Sequence, residues 1–270
     1  MDTDSPQPIK IAILAMGGEG GGVLADWIVD MAEHTGHIAQ TTSVAGVAQR
    51  TGATIYYLEL FPRAAAEAAG AEPVLALIPT PGDVDVLLAS ELMEAGRAVQ
   101  RGLVTPDRTT LVASTHRVYA IAEKTAMSDG RADAAKLEAA CAAAAQRFVR
   151  FDMADVAERH GSVISAVLFG ALCGSGVLPF GRDAFEATIR RGGVGIQASL
   201  AAFAEGAARA AGDVPPEAAP EADAKPVPAT HPNAQVQALL QRFHTQFPPA
   251  QHTLLAEGLR RLVDYQDPAY

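Results

Sequence analysis

The chain has 270 residues, room for one large domain or two small ones, and 49% of them are hydrophobic, ample for a core. Aromatic residues are only 6%, so alanine-rich helices are expected to pack closely through small side chains. A formal charge of −10, from 31 acids against 21 bases, argues against nucleic acid as the main partner, because backbone binding needs concentrated positive charge.

The predicted elements alternate. The apolar run at 9–16 predicts a strand, and Val23, Leu24, Trp27, Ile28 and Met31 fall at helical spacing over 20–35. HIAQTTSV predicts a second strand running into a polar loop, and GATIYYLELF, rich in β-branched and aromatic types, a third. The apolar run PVLALI stops at Pro79, and an acid-capped helix is expected over DVDVLLASELMEAGRAVQRG. TTLVAST predicts a strand, ADAAKLEAACAAAAQRF a helix, and FVRFDM a short strand before ADVAERHG. Helices are expected over 162–173, 182–191 and 195–210. Residues 211–233 carry six prolines and little to bury, the composition of a linker or strap. Two amphipathic helices follow, AQVQALLQRFHTQF and TLLAEGLRRLVDYQ.

Apolar strands alternating with helices predict an α/β fold, an open three-layer sandwich with a mostly parallel, mixed sheet, plus the C-terminal helices. The pair around 38–60 supplies an antiparallel member. The expected organisation is a flexible N-terminus at 1–8, an α/β domain at 9–210, a Pro-rich linker at 211–233 and a helical extension at 234–270. Cys141 and Cys173 lie in apolar settings without the companions of a zinc or iron–sulfur site, which predicts buried, reduced thiols in a cytoplasmic, reducing compartment. Apolar stretches are broken before a membrane-spanning length, so no membrane partner is expected.

The chemistry concentrates at AMGGEGGGVLADW, where five glycines follow the first strand almost at once. A dinucleotide fingerprint can be laid on Gly20, Gly22 and Ala25. Against it stand the negative charge of Glu19, the lack of a carboxylate at 40–43 to grip a ribose, and the degeneracy of any glycine run. A phosphate-binding loop of the lysine type is excluded, since no lysine follows the glycines. In the competing structural reading the glycines permit tight turns and close packing, and Glu19 accepts bonds from helix-start amides or meets an arginine across an interface. Arg50, beside Gln49 and following Thr42, suits either an anion clamp or an interfacial salt bridge. His116 follows a strand at the edge where open sheets meet ligands, although a hydrogen-bonded structural histidine explains it equally. The remaining histidines show no metal spacing, and no catalytic residue or metal ligand is assigned.

Two motifs together, Met16-Gly17-Gly18-Glu19-Gly20 and Gly46-Val47-Ala48-Gln49-Arg50-Thr51-Gly52, resemble the γ-type subunit or domain of the 2-oxoacid:ferredoxin oxidoreductases. The nearest branch is the β subunit of indolepyruvate oxidoreductase. VISAVLFGALCGSGVLPFGRDAFEATIR is similar to the family's late helices, and the likeness runs from Ile9 to Phe203. Glutamate stands at position 19 where most members have glutamine. The tail GLRRLVDYQDPAY looks like the start of the extension in longer bacterial members.

The resemblance implies a subunit of a complex that oxidatively decarboxylates an aryl 2-oxoacid, indolepyruvate in that branch, to an acyl-CoA and passes the electrons to ferredoxin. Thiamine diphosphate with magnesium and the iron–sulfur clusters are then expected in the large α subunit, with coenzyme A as cosubstrate. This chain would hold none of them alone. Gly17, Gly18, Glu19, Gly20, Thr42, Gln49, Arg50 and His116 are the expected cofactor-binding or active-site-facing interface. A freestanding nucleotide-binding protein and a purely structural assembly subunit are the alternatives.

Overall fold

The computed structural model describes residues 6–44, 54–119, 121–127, 129–212 and 230–265. These divide into two compact units, Met1–Pro216 and Glu217–Tyr270.

The first unit is built on a six-stranded sheet in the order β2-β3-β1-β4-β5-β6. Its strands are β1 (Ile9–Ala15), β2 (His37–Val44), β3 (Thr54–Pro62), β4 (Val86–Ala89), β5 (Thr110–Ser114) and β6 (Arg147–Phe151). β1, β4, β5 and β6 are parallel, with Ile13 opposite Leu88, Leu87 opposite Leu111 and Val112 opposite Val149. β3 runs antiparallel between β1 and β2, placing Leu58 opposite Ile11 and Thr41. The predicted mixed α/β sheet is therefore present.

Helices cover both faces. α1 (Gly21–His34), α6 (Met153–Arg159), α7 (Ile164–Ser175), α8 (Arg182–Arg191) and α9 (Ile196–Ala211) share a core with Ile11, Ile13, Leu58 and Val112. α3 (Leu92–Gln100) and α5 (Ala134–Ala144) pack on the other face, over Ala12, Leu14, Leu87 and Leu111. Two short helices, α2 (Arg63–Ala69) and α4 (Ile121–Thr125), lie in the connections. Alanine and glycine let the layers close. A Cβ on Gly170 or Gly174 of α7 would come within 2.1 Å of the Phe203 or Ala207 carbonyl on α9.

One predicted element changes identity. The stretch expected as one acid-capped helix over 83–102 begins as β4, and helix starts only at Leu92. Asp83 and Asp85 are consequently not helix caps. Asp83 pairs with Lys10 and Arg108, and Asp85 with Arg108 and the Lys10 N–H. The cap of α3 is Glu91, which accepts from the Met93 and Glu94 amides at 2.9 Å each.

The apolar run PVLALI forms neither strand nor core. It lies against β2 and β3 as a strap, fixed by Gln40 Nε2 to the Ala76 carbonyl (2.9 Å), Thr42 Oγ1 to the Leu77 carbonyl (2.6 Å) and Ala76 N–H to Glu59 Oε2 (2.8 Å). Val74, Leu77 and Ile78 face solvent.

In the second unit α10 (Ala234–Gln246) and α11 (His252–Tyr265) form a hairpin, joined through a short turn of 3-10 helix at Pro249–Gln251. The Phe243, His244 and His252 rings cluster there, their centroids 4.7–5.0 Å apart. The predicted linker falls almost entirely on 213–229, outside the described residues. Among the described residues no single helix is long and apolar enough to cross a membrane.

Candidate functional site

Open α/β sheets bind ligands where neighbouring strands send their following helices to opposite faces. That condition is met between β1 and β4, because α1 lies on one face and α3 on the other. The loop 16–20 leaves β1 at this point, and Ser90 and Glu91 leave β4.

The glycines of the loop do different work. Gly18 and Gly20 take left-handed backbone conformations, φ 92° and 72°, which side chains resist. A Cβ at Gly17 or Gly18 would meet nothing, so their outer surface is open. At Gly21 a Cβ would lie 2.5 Å from Ala15 Cβ and 2.8 Å from the Tyr56 ring, so α1 can approach the sheet only without one.

Glu19 turns back into the crevice rather than over the helix. Its Oε2 accepts from the Ser90 hydroxyl and from the Met16 N–H at 3.3 Å, and its Oε1 lies 3.4 Å from His116 Nε2. Glu19 therefore does not accept from helix-start amides, one of the readings its sequence position allowed, and α1 has no side-chain cap. Burial pushes the Glu19 carboxyl up. Hydrogen bonds from His116 and Ser90, the His116 charge and the Met16 amide outweigh it and hold the carboxyl below its ordinary value.

His116 is fixed from its other side, Nδ1 and Ser114 Oγ being 2.7 Å apart. Ser114 also accepts the Met153 N–H at 3.0 Å and is wholly buried. The line Glu19–His116–Ser114 resembles a hydrolytic triad only in composition, since a buried hydroxyl already bonded twice has no access to a substrate. The segment after His116 is braced by Arg117, which donates to Glu123 Oε1 at 2.6 Å and to the Ala132 carbonyl at 3.1 Å.

The structure thus brings together Gly17, Gly18, Glu19, Gly20 and His116 from the sequence-predicted set. Thr42 is not among them. It lies on β2, two strands from β1, and secures the strap. Gln49 and Arg50 lie outside the described residues. Sequence reasoning missed Ser90 and Ser114, although a signal existed: Leu-x-Ala-Ser recurs at 87–90, where it runs one residue past β4, and at 111–114, where it closes β5, and the two strands lie in register.

A family model of the pyruvate ferredoxin/flavodoxin oxidoreductases matches residues 10–209. The chain belongs to that family. The match covers β2 to β6 and α1 to α8 in full, all but the first residue of β1 and all but the last two of α9. Solved structures share the fold. Pyruvate oxidoreductase subunit PORC from Thermotoga maritima matches with a TM-score of 0.51 at 16% identity, covering 74% of this chain and 96% of that one. The gamma subunit of a keto/oxoacid ferredoxin oxidoreductase from Geobacter sulfurreducens gives 0.50 at 16%, covering 76% and 99%. The 2-oxoglutarate:ferredoxin oxidoreductase from Magnetococcus marinus, solved with 2-oxoglutarate, coenzyme A and succinyl-CoA, gives 0.51 at 16%, covering 79% of this chain but 32% of that one. No curated protein matches the chain.

The oxidoreductase family implies redox cofactors, and the donors here do not fit them. Cys141 lies on the buried side of α5 on one face of the sheet, and Cys173 lies on α7 on the other. Burial pushes the Cys141 thiol up to about 11 and raises that of Cys173, away from the thiolate that cluster ligation needs. Among the described residues no group of three or more His, Cys, Asp or Glu side chains could hold a metal ion.

Proposed function

We propose that this chain is the γ-type subunit of an indolepyruvate-type oxidoreductase and works only within a complex. A larger partner would carry thiamine diphosphate, magnesium and iron–sulfur clusters. The complex would convert an aryl 2-oxoacid and coenzyme A to an acyl-CoA and deliver the electrons to ferredoxin in the cytoplasm. The carrying observation is the family match over residues 10–209, together with a carboxyl-edge site that contains hydrogen-bonding groups and no activated nucleophile. In this reading Glu19 and His116 are positioning residues. They hold the glycine loop rigid against β4 and β5, so that Gly17 and Gly18 present a side-chain-free surface to the partner's reaction region and the approach of coenzyme A. The branch assignment rests on the paired loop motifs around Glu19 and Arg50.

The experiment is co-expression with the large subunit, co-purification, and 2-oxoacid-dependent dye reduction with indolepyruvate, phenylpyruvate and hydroxyphenylpyruvate. Stable association with activity that needs both chains is the expected result, with indolepyruvate preferred. Full activity from the large subunit alone, without association, overturns the assignment.

A further inference from the structure

The sheet ends in two edges that are built differently. β6 forms one of them and carries Arg147 and Arg150 exposed along it, charges that discourage an added strand. β2 forms the other, with the sequence HIAQTTSV, which holds no proline and no ionisable side chain beyond His37 at its first position. Among the described residues β3 is the strand that pairs with β2, and no backbone bond from outside the sheet reaches it. The His37 carbonyl, at the very start of the strand, accepts from Arg63 at 3.4 Å. The rest of an eight-residue strand therefore offers a row of backbone N–H and C=O groups to one side, a state that sheets ordinarily blunt with charge or proline.

Exposed apolar residues flank this edge. Strand alternation puts Gln40 and Thr42 on one face of β2, and there they hold the strap through the Ala76 and Leu77 carbonyls. Val74, Leu77 and Ile78 of the strap face solvent, and Val44 at the end of β2 is exposed as well. Apolar side chains grouped beside an open strand edge mark a surface that another protein covers.

We propose that β2 is a self-association edge: a second copy of this chain adds its own β2 antiparallel, joining two six-stranded sheets across a two-fold axis. An axis normal to the sheet keeps corresponding residues of the two copies on the same face. The two straps then lie on one side of the joint, where their apolar residues cover each other. The centre of the joint is formed by Gln40, Thr41 and Thr42, uncharged residues able to bond to their own counterparts. Charge selects the direction. Glu67 and Glu72 line a cleft with Arg63 and Ile38 at the start of β2, and antiparallel pairing sends the acids of the two copies to opposite ends of the joint. A parallel pairing would crowd them together, which a chain of net charge −10 opposes. The inference does not rest on the oxidoreductase reading, and its test needs no partner subunit.

Sedimentation velocity of the full chain, from about 1 to 100 µM, reads the association, and hydrogen exchange at both ends of that range locates it. A monomer–dimer equilibrium is expected, with alternate amides of β2 gaining protection as the dimer forms. Thr41 is exposed, so Thr41→Lys sets two like charges beside the axis and should weaken the dimer about tenfold or more. Leu77→Glu alters the exposed strap without touching the strand and should weaken it in the same way, which keeps the test open should Thr41→Lys fail to fold. A chain that stays monomeric throughout overturns self-pairing, and so does a dimer that both variants leave intact. Protection of β2 that appears only when the large subunit is added assigns the edge to that partner and overturns the proposal equally.

Discussion

Glu19 offers the sharpest test at the scale of one residue. Its carboxyl sits below the ordinary glutamate value because the folded crevice supplies donors that the unfolded chain lacks. A folded-state value below the unfolded one means that the carboxylate's stabilisation is complete above the unfolded pKa. It is lost as pH falls through the depressed folded value. Wild type should therefore lose stability on acidification from about pH 5 toward pH 3, and Glu19→Gln should lose less over the same interval. Urea unfolding at a series of pH values measures the difference, and parallel curves for the two proteins would remove the ionised carboxylate from the account. The residues that surround Glu19 show what the sequence could reveal. A glycine run after a strand marks a sharp turn at a sheet edge, and that turn is present. Which way the acid within it points depends on Ser90 and His116, 71 and 97 positions away, and no local pattern encodes that pairing.

At the scale of elements, legibility followed burial. β4 is only four residues long and all four are buried, so it lacks the polar alternation that marks a strand exposed on one face. Its apolar run merges with the helix behind it, and Ser90-Glu91 is the only punctuation. PVLALI shows the opposite failure, because an apolar run predicts core only where a neighbour covers it, and Val74, Leu77 and Ile78 are uncovered. Glu59 anchors this strap from a nearly inaccessible position, accepting from the Tyr57 hydroxyl at 2.6 Å and the Ala76 amide at 2.8 Å. Glu59→Ala would strand both donors and should cost roughly 2–3 kcal/mol, with faster proteolysis between residues 70 and 80 as the specific readout. The α7–α9 seam makes a steric prediction. Gly170→Ala places a methyl 2.1 Å from the Phe203 carbonyl, so the helices must part, at a cost of about 1–3 kcal/mol. Gly181→Ala meets no atom within 4 Å and should shift stability by under ~0.5 kcal/mol. Thermal melts of the two variants side by side separate packing from any general loss of glycine.

For the whole molecule, the distribution of core residues decides what must be present for the α/β body to stand. Among the described residues, the members of both hydrophobic clusters lie between Ile9 and Ala210. The second unit has its own contacts in the Phe243–His244–His252 cluster and between its two helices. A chain ending at Pro216 should therefore fold cooperatively and keep its melting temperature within ~3 °C of the 270-residue chain, a change of under about 1 kcal/mol for a body of this size. Calorimetry on the two chains measures this directly. A larger fall would mean that α10 and α11 contribute to the stability of the body. The truncated chain also sharpens the assembly question, because the family match ends at residue 209 and the proposed partner contacts at the glycine loop all precede that point. If the shortened body still binds the large subunit and restores dye reduction, the oxidoreductase role belongs to residues 10–209. Binding that is lost while the melt is unchanged would instead assign partner recognition to the helical hairpin.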